Sequence, residues 1–272
     1  MEGRASAGAL GGAILARWPD GGQAVITVFH GNRSVARRVA TAVNELVVAG
    51  LPVPRHDLVV ELEHGVAFVQ QRLPSGPFLK FSEAQVDAIL AVNERFAGAG
   101  ALVTDVPPIS EWFLPEGLRS YDRVMALSAE YGERAHSVVS HLVNIALANQ
   151  DLLRGDDIVH VDLNAANVLF DERNHATGVV DWNLGIFTGP RDLALIQTRF
   201  DREWFVQMPS SDEGETAAAN YLDRLIVERI DEESRRVWWA YWLLHWLPKA
   251  FSLDEQPGVL GWHLDLAEER VR

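Results

Sequence analysis

His160-Val161-Asp162-Leu163-Asn164-Ala165-Ala166-Asn167, followed further on by Val179-Val180-Asp181-Trp182-Asn183, is the stretch on which the reading of this 272-residue chain turns. Phosphoryl transfer asks little covalent chemistry of a protein. It does need a carboxylate to orient the attacking hydroxyl and oxygen ligands to hold Mg²⁺ against a triphosphate. Asp162, Asn167 and Asp181 supply that set. Short β-prone runs at 158–161, 168–170 and 178–180, with a turn at Glu172-Arg173-Asn174, surround them. A loop before a hairpin would hold Asp162 close to Asn167, and the strand after it would deliver Asp181 beside them. Taken singly, each is an ordinary turn, loop or cap residue. The three are informative together because the spacing is rare by chance.

Upstream, residues 13–29 read as two β-prone runs around Pro19-Asp20-Gly21-Gly22, a hairpin. Residues 34–50 carry Val35, Val39, Val43, Leu46 and Val47 at helical spacing and stop at Gly50 before Leu-Pro-Val-Pro. Residues 58–61 and 66–71 form a second strand pair, and the breaker at 73–77 closes a first lobe, residues 1–75. Beyond it, Ser82 and Gln85 suggest a capping box for a helix bearing Val86, Ile89, Leu90 and Phe96. Helical patterns at 121–153 and 232–251 dominate residues 76–272. The expected fold is α+β: a small β-rich lobe, a larger mainly helical lobe with an embedded hairpin, and a cleft between them.

Composition narrows the partners. The formal charge of −14 repels phosphate backbones, so nucleic acid is not the expected partner, whereas a cationic one would be attracted. The same acidity also serves solubility alone. No run approaches the roughly eighteen apolar residues of a membrane span, and the start lacks a secretory pattern, which leaves the cytoplasm as the expected location and no membrane partner. Cysteine is absent, excluding disulfides, thiolate metal sites and a thiol nucleophile. Nothing in the sequence speaks to oligomeric state.

The stretch 159–171, then 178–182, resembles the catalytic loop, hairpin and metal-binding Asp of the aminoglycoside phosphotransferases and their choline-kinase and homoserine-kinase-like relatives. Gly189-Pro190-Arg191-Asp192-Leu193-Ala194 is similar to the segment that follows in that family. Gly50-Leu51-Pro52-Val53-Pro54 and Val69-Gln70-Gln71-Arg72-Leu73-Pro74 look like its post-helix strand and adenine-contacting hinge. The resemblance implies a protein-kinase-like bilobal fold, Mg²⁺, and ATP or GTP as co-substrate. It makes Asp162 the group that orients the acceptor hydroxyl, Asn167 and Asp181 the metal ligands, and His160 a brace for the loop. Asp192 becomes a structural partner of that loop, and Gln70, Gln71 and Leu73 face the nucleotide.

The pattern is broken on the phosphate side. Kinases of this architecture use a third-strand lysine paired with a helix glutamate. The chain's two lysines, Lys80 and Lys249, are out of place, and Thr27 stands where that lysine is expected. The helix acid, Glu45, comes late. Arg33, Arg37 or Arg38 are the candidate substitutes as phosphate clamp, and Gly8, Gly11 and Gly12 form a candidate shortened glycine-rich turn over the phosphates. Val161 replaces the family's catalytic-loop glycine. Asp201, Glu203, Asp212, Glu213 and Glu215 read either as a solvated loop or as a surface for an amine-bearing acceptor. Trp204, Trp238, Trp239, Trp242 and Trp246 read first as core and second as a pocket. Three functions remain open: O-phosphorylation of a small molecule, phosphorylation of peptide Ser or Thr hydroxyls, or a catalytically silent binding module.

Overall fold

The computed structural model describes residues 3–4, 13–29, 32–74, 76–77, 81–117, 119–206, 213–252 and 258–272, with the side chains of 3–4, 76–77 and 204–206 excepted. Gly8, Gly11, Gly12, Lys80 and Asp212 lie outside them. Grouped by contact, the chain forms two units, each discontinuous in sequence: residues 1–107 with 156–222, and residues 108–155 with 223–272.

In the first unit the alternating apolar runs form an antiparallel five-stranded sheet. Its strands are β1 (Gly3–Arg4), β2 (Ile14–Arg17), β3 (Gln23–Phe29), β4 (His56–Leu62) and β5 (Gly65–Gln71), in the order β1-β2-β3-β5-β4. The β2–β3 turn falls at the expected Pro-Asp-Gly-Gly, where Gly21 takes φ +89. Register places Val25 opposite Gln70 and Thr27 opposite Phe68, so Val25, Thr27, Phe68 and Gln70 share one sheet face.

Helix α1 (Arg33–Val48) covers part of the sheet. Asn32 caps it by accepting from Val35 N, and Ala36, Val39, Ala40, Ala42, Val43 and Leu46 make its buried stripe. Each fully buried Val or Leu there contributes about 1.5–3 kcal/mol. The stop is a Schellman turn: Gly50 N donates to Val47 O, Leu51 N donates to Leu46 O, and Gly50 sits at φ +81. Asn44 fixes the helix to β4, donating to His56 O (2.9 Å) and accepting from His56 N (2.8 Å).

After β6 (Gly76–Pro77), helix α2 (Glu83–Glu94) begins at Ser82, but no capping box forms. The Ser82 hydroxyl bonds the Gln85 side chain, and Gln85 Nε2 turns to Asn174 Oδ1 (3.0 Å) on the hairpin that packs against α2. Tertiary bonding to the hairpin wins over the local cap.

A short turn at Ala99–Leu102 supports β7 (Asp157–Val159), with Gly100 N donating to Asp156 O at 2.7 Å. A Cβ on Gly100 would stand 2.5 Å from Asp156 O. Gly100→Ala should therefore destabilise the protein by about 2 kcal/mol, since backbone must move; a urea-unfolding midpoint equal to wild type would refute this.

In the second unit, α3 (Ser110–Phe113), α4 (Arg119–Glu130) and α5 (Glu133–Ala148) pack with α8 (Glu232–Ser252) and α9 (Val259–Arg270). Trp238, Trp239, Tyr241 and Trp242 of α8 are core, with Tyr241 Oη donating to Ala146 O and Trp238 Nε1 to Leu152 O. Among the described residues no helix is long and apolar enough to cross a membrane.

Candidate active site

β7 leads directly into the loop 160–167, and β7 pairs not with the hairpin after it but with β10 (Phe187–Gly189). The hairpin is β8 (Val168–Phe170) with β9 (Ala176–Val179), and β6 adds on its outer side. Gly178 leaves the space that Leu73 fills, since a Cβ there would meet Leu73 Cδ1 at 2.5 Å. Val179 N donates to Pro52 O (2.7 Å), and Val180 N donates to Asn167 O (2.8 Å). That last bond sets Asp181 beside the loop.

The loop is closed by its own polar side chains. Asn167 Nδ2 donates to Asp162 Oδ2 (2.7 Å) and to Asp162 O (2.9 Å), while Asn164 Nδ2 donates to Asp162 Oδ1 (2.8 Å). Asn164 Oδ1 in turn accepts from Ala166 N and Asn167 N. His160 braces both sides. Its Nε2 bonds Val180 O (3.0 Å), and its Nδ1 accepts from Asp162 N (3.1 Å), which makes the ring a neutral imidazole carrying its proton on Nε2. Burial lowers its pKa to about 4, consistent with that neutral form, and its ring stands edge-on to Trp182. Val161 is buried and does not take positive φ, so this loop needs no glycine there.

Asp162 is pushed up to about 6, first by burial and then by the negative charge of Asp201, against the donors Asn167 and Asn164. Asp181 is also raised by burial, partly offset by the nearby N–H groups of Asn183. Its backbone is left-handed, φ 64 and ψ 56, a region that Asp tolerates better than most residues. Asn167 is buried, and no hydrogen bond among the described residues occupies its Oδ1. The Asp181 carboxylate and the Asn167 carboxamide oxygen are hard, oxygen-only donors. They suit Mg²⁺, which takes one or two carboxylates and leaves other positions to water and phosphate. Among the described residues no three His, Asp or Glu side chains converge as a metal cage.

A model of the phosphotransferase enzyme family (APH) matches residues 6–188. The chain belongs to that family. No curated protein sequence matches it. Among solved structures it is similar to the apo form of a thermostable mutant of aminoglycoside phosphotransferase APH(4)-Ia, at 18% identity over 99% of this chain and 93% of that one, TM-score 0.67. It is similar to a choline kinase from Streptococcus pneumoniae, at 14% identity over 97% and 91%, TM-score 0.57. An aminoglycoside phosphotransferase from Streptomyces rimosus in complex with ADP and streptomycin matches at 16% identity over 85% and 90%, TM-score 0.53. These likenesses show the expected α+β, protein-kinase-like fold, a small N-terminal sheet followed by a larger helical region.

In this family member the third strand carries Thr27, at the register expected for a lysine, and it is not vacant chemically. Gln70 Nε2 donates to Thr27 Oγ1 (2.8 Å), and Thr27 Oγ1 donates to Asn183 Oδ1 (3.1 Å). Gln70, expected at the nucleotide hinge, is only 3% exposed with its amide turned to Thr27. Gln71 pairs with Ala24 at the end of β5. Glu45 is tied to Thr104, accepting from its backbone N and hydroxyl. Of the candidate clamps, Arg33 pairs with Glu61 (2.7 Å), and Arg37 is exposed with no ion pair among the described residues.

Asp192 Oδ1 accepts from Asn93 Nδ2 of α2 (3.1 Å), and Arg191 bonds Glu94 and Asp157. The acidic stretch divides. Asp201 and Glu203 lie in α6 (Leu193–Val206), not in a solvated loop: Glu203 is buried against Arg199 (2.7 Å), and Asp201 pairs with Arg202 (3.2 Å). Glu213 and Glu215 instead open α7 (Glu213–Arg229). Asn164 and Asn183 were not singled out from the sequence as site residues, and Asp201 only as part of the acidic stretch. An Asn two positions after each motif Asp was the available signal for the first two.

Proposed function

We propose that this phosphotransferase moves the γ-phosphoryl group of ATP or GTP, with Mg²⁺, to a hydroxyl of a small molecule. The carrying observation is the closed loop in which Asn164 and Asn167 hold both carboxylate oxygens of Asp162 while Val180 N–Asn167 O brings Asp181 alongside. In this reading Asp162 accepts a hydrogen bond from the acceptor hydroxyl and aims its oxygen in line with the phosphoryl group. A carboxylate pushed up to about 6 is a better proton acceptor near neutral pH than an ordinary one. Asn167 Oδ1 and the Asp181 carboxylate would hold Mg²⁺, which when bound draws charge off the phosphate oxygens. His160 stays neutral and holds the loop. Residues 1–75 would face the nucleotide, with Gln71 and Leu73 near the base, and residues 76–272 would carry the metal and acceptor groups.

An amine-bearing acceptor, such as an aminoglycoside-like or peptide antibiotic, suits the net charge of −14 and Asp201 beside Asp162. The similar structures are named for aminoglycoside, macrolide and choline acceptors. The test is product mass after incubation with Mg²⁺ and ATP or GTP against panels of aminoglycosides, macrolides, choline-like alcohols and Ser/Thr peptides. A gain of one phosphate on a small molecule is the expected result. Phosphate on peptides alone would move the acceptor to that class, and no transfer to any panel together with no Mg²⁺-nucleotide binding would leave a silent module.

A further inference from the structure

Between the sheet and Asp181 runs an uncharged line of three side chains. Gln70 is buried on β5, Thr27 lies on the same face of the neighbouring β3, and Asn183 sits in the turn Trp182–Leu184 that packs on β3. The hydroxyl of Thr27 has one proton, and the geometry directs it to Asn183 Oδ1, because the Gln70 amide already donates to the oxygen. With its Oδ1 so engaged, Asn183 is fixed two residues beyond Asp181, in the turn that Asp181 opens. Each group thus fixes the orientation of the next, and a chain of this kind is stronger than its separate links.

Asp181 needs such support. Its left-handed backbone costs about 1 kcal/mol for a residue with a Cβ, and it persists only where the surroundings over-determine it. In kinases of this fold a lysine on this strand lies close to the phosphates and brings a positive charge. Here the strand reaches the metal-binding segment through neutral groups alone. On this side Asp181 is therefore supported without a positive charge.

Resting on the phosphotransferase reading above, we propose that Asn183 and Thr27 are positioning residues that, with Gln70, hold Asp181 for Mg²⁺ in place of the strand lysine. Along this line the positive charge then comes from the divalent cation. Nucleotide affinity depends on Mg²⁺ for that reason, and the line of side chains acts only on the Mg²⁺-bound form.

The experiment is calorimetric titration of ATP and of GTP, each with Mg²⁺ and with EDTA, into wild type, Thr27→Val, Thr27→Ser, Asn183→Ala and the Thr27→Val/Asn183→Ala pair. Thr27→Val keeps the shape of the side chain and strands two polar partners, so the Kd for Mg²⁺-nucleotide should rise about tenfold. Affinity in EDTA should not change. Thr27→Ser, which keeps the hydroxyl, should restore the wild-type value, and the double variant should be no worse than either single one, as expected for residues acting through one line. If the affinities with and without Mg²⁺ fall together, or neither falls, the three residues only support the fold and the proposal is overturned. If wild type itself binds nucleotide no better with Mg²⁺ than without, the phosphotransferase reading fails first and this one with it.

Discussion

Asp162→Asn should lower kcat by about 10²- to 10⁴-fold and, in the same protein, raise the unfolding temperature at pH 7.5 in EDTA. Asn keeps the shape of Asp and an oxygen to accept from the loop, but it cannot take up or direct the hydroxyl proton. Nucleotide affinity should stay near wild type, since the role proposed for Asp162 is towards the acceptor. The stability gain follows from the raised pKa of about 6, whose first cause is burial. Above pH 6 the carboxylate is ionised in both folded and unfolded chains, and its burial works against the fold in full. Between pH 6 and the ordinary carboxylate range the folded form holds a proton that the unfolded form releases, so the penalty fades as pH falls. Replacing the charge removes that penalty at neutral pH. One of the two donors, Asn164 or Asn167, then meets an NH₂ group, which offsets part of the gain. A net gain of about 1 kcal/mol, or roughly 2 °C, is expected. It should shrink as the pH is lowered towards 4. A variant that keeps wild-type turnover would remove Asp162 from the mechanism, and one less stable than wild type at every pH would show that its hydrogen bonds outweigh its charge.

The parts of this molecule that the sequence discloses are those written in local chemistry. Gly50 after an apolar stripe announces the Schellman stop of α1, and Pro19-Asp20-Gly21-Gly22 announces the β2–β3 turn, because both need positive φ at one residue. The closeness of Asp162 and Asn167 in the loop 160–167 is readable for a similar reason, because their spacing before the hairpin is short. What is not readable depends on register or on distant partners. Gln70 looks like a hinge residue until the β3–β5 pairing sets it on the same face as Thr27. Ser82 and Gln85 look like a cap until Asn174 takes up Gln85. Asp201 and Glu203 read as solvated acids because, although their partners Arg202 and Arg199 lie within four residues, the burial of this part of α6 is set by tertiary packing. The contact units, which join 1–107 with 156–222, likewise follow from packing that no linker composition signals.

Asp181→Asn should act on a different quantity from Asp162→Asn, and the contrast separates the two roles. Asn is the informative replacement, because with Asp it tolerates the left-handed backbone found here, whereas Ala would add strain of its own. The variant retains one oxygen and loses the charge, at a point where the sheet supplies only the neutral Thr27 and Gln70 through Asn183. With that line neutral, little along it remains to draw Mg²⁺ and its phosphates to this place. Residues that merely support a metal ligand alter affinity by about 10- to 100-fold, so loss of a charged ligand should raise the Kd for Mg²⁺-nucleotide by at least about 100-fold. Affinity measured in EDTA should change little, and turnover should recover in part at high Mg²⁺. For Asp162→Asn neither holds: its Kd stays near wild type and extra Mg²⁺ restores nothing. If Asp181→Asn instead binds Mg²⁺-nucleotide as tightly as wild type, the metal does not rest on Asp181. The Asp162–Asn167 pair would then have to carry it, and the line from Gln70 through Thr27 to Asn183 would have no metal ligand to position.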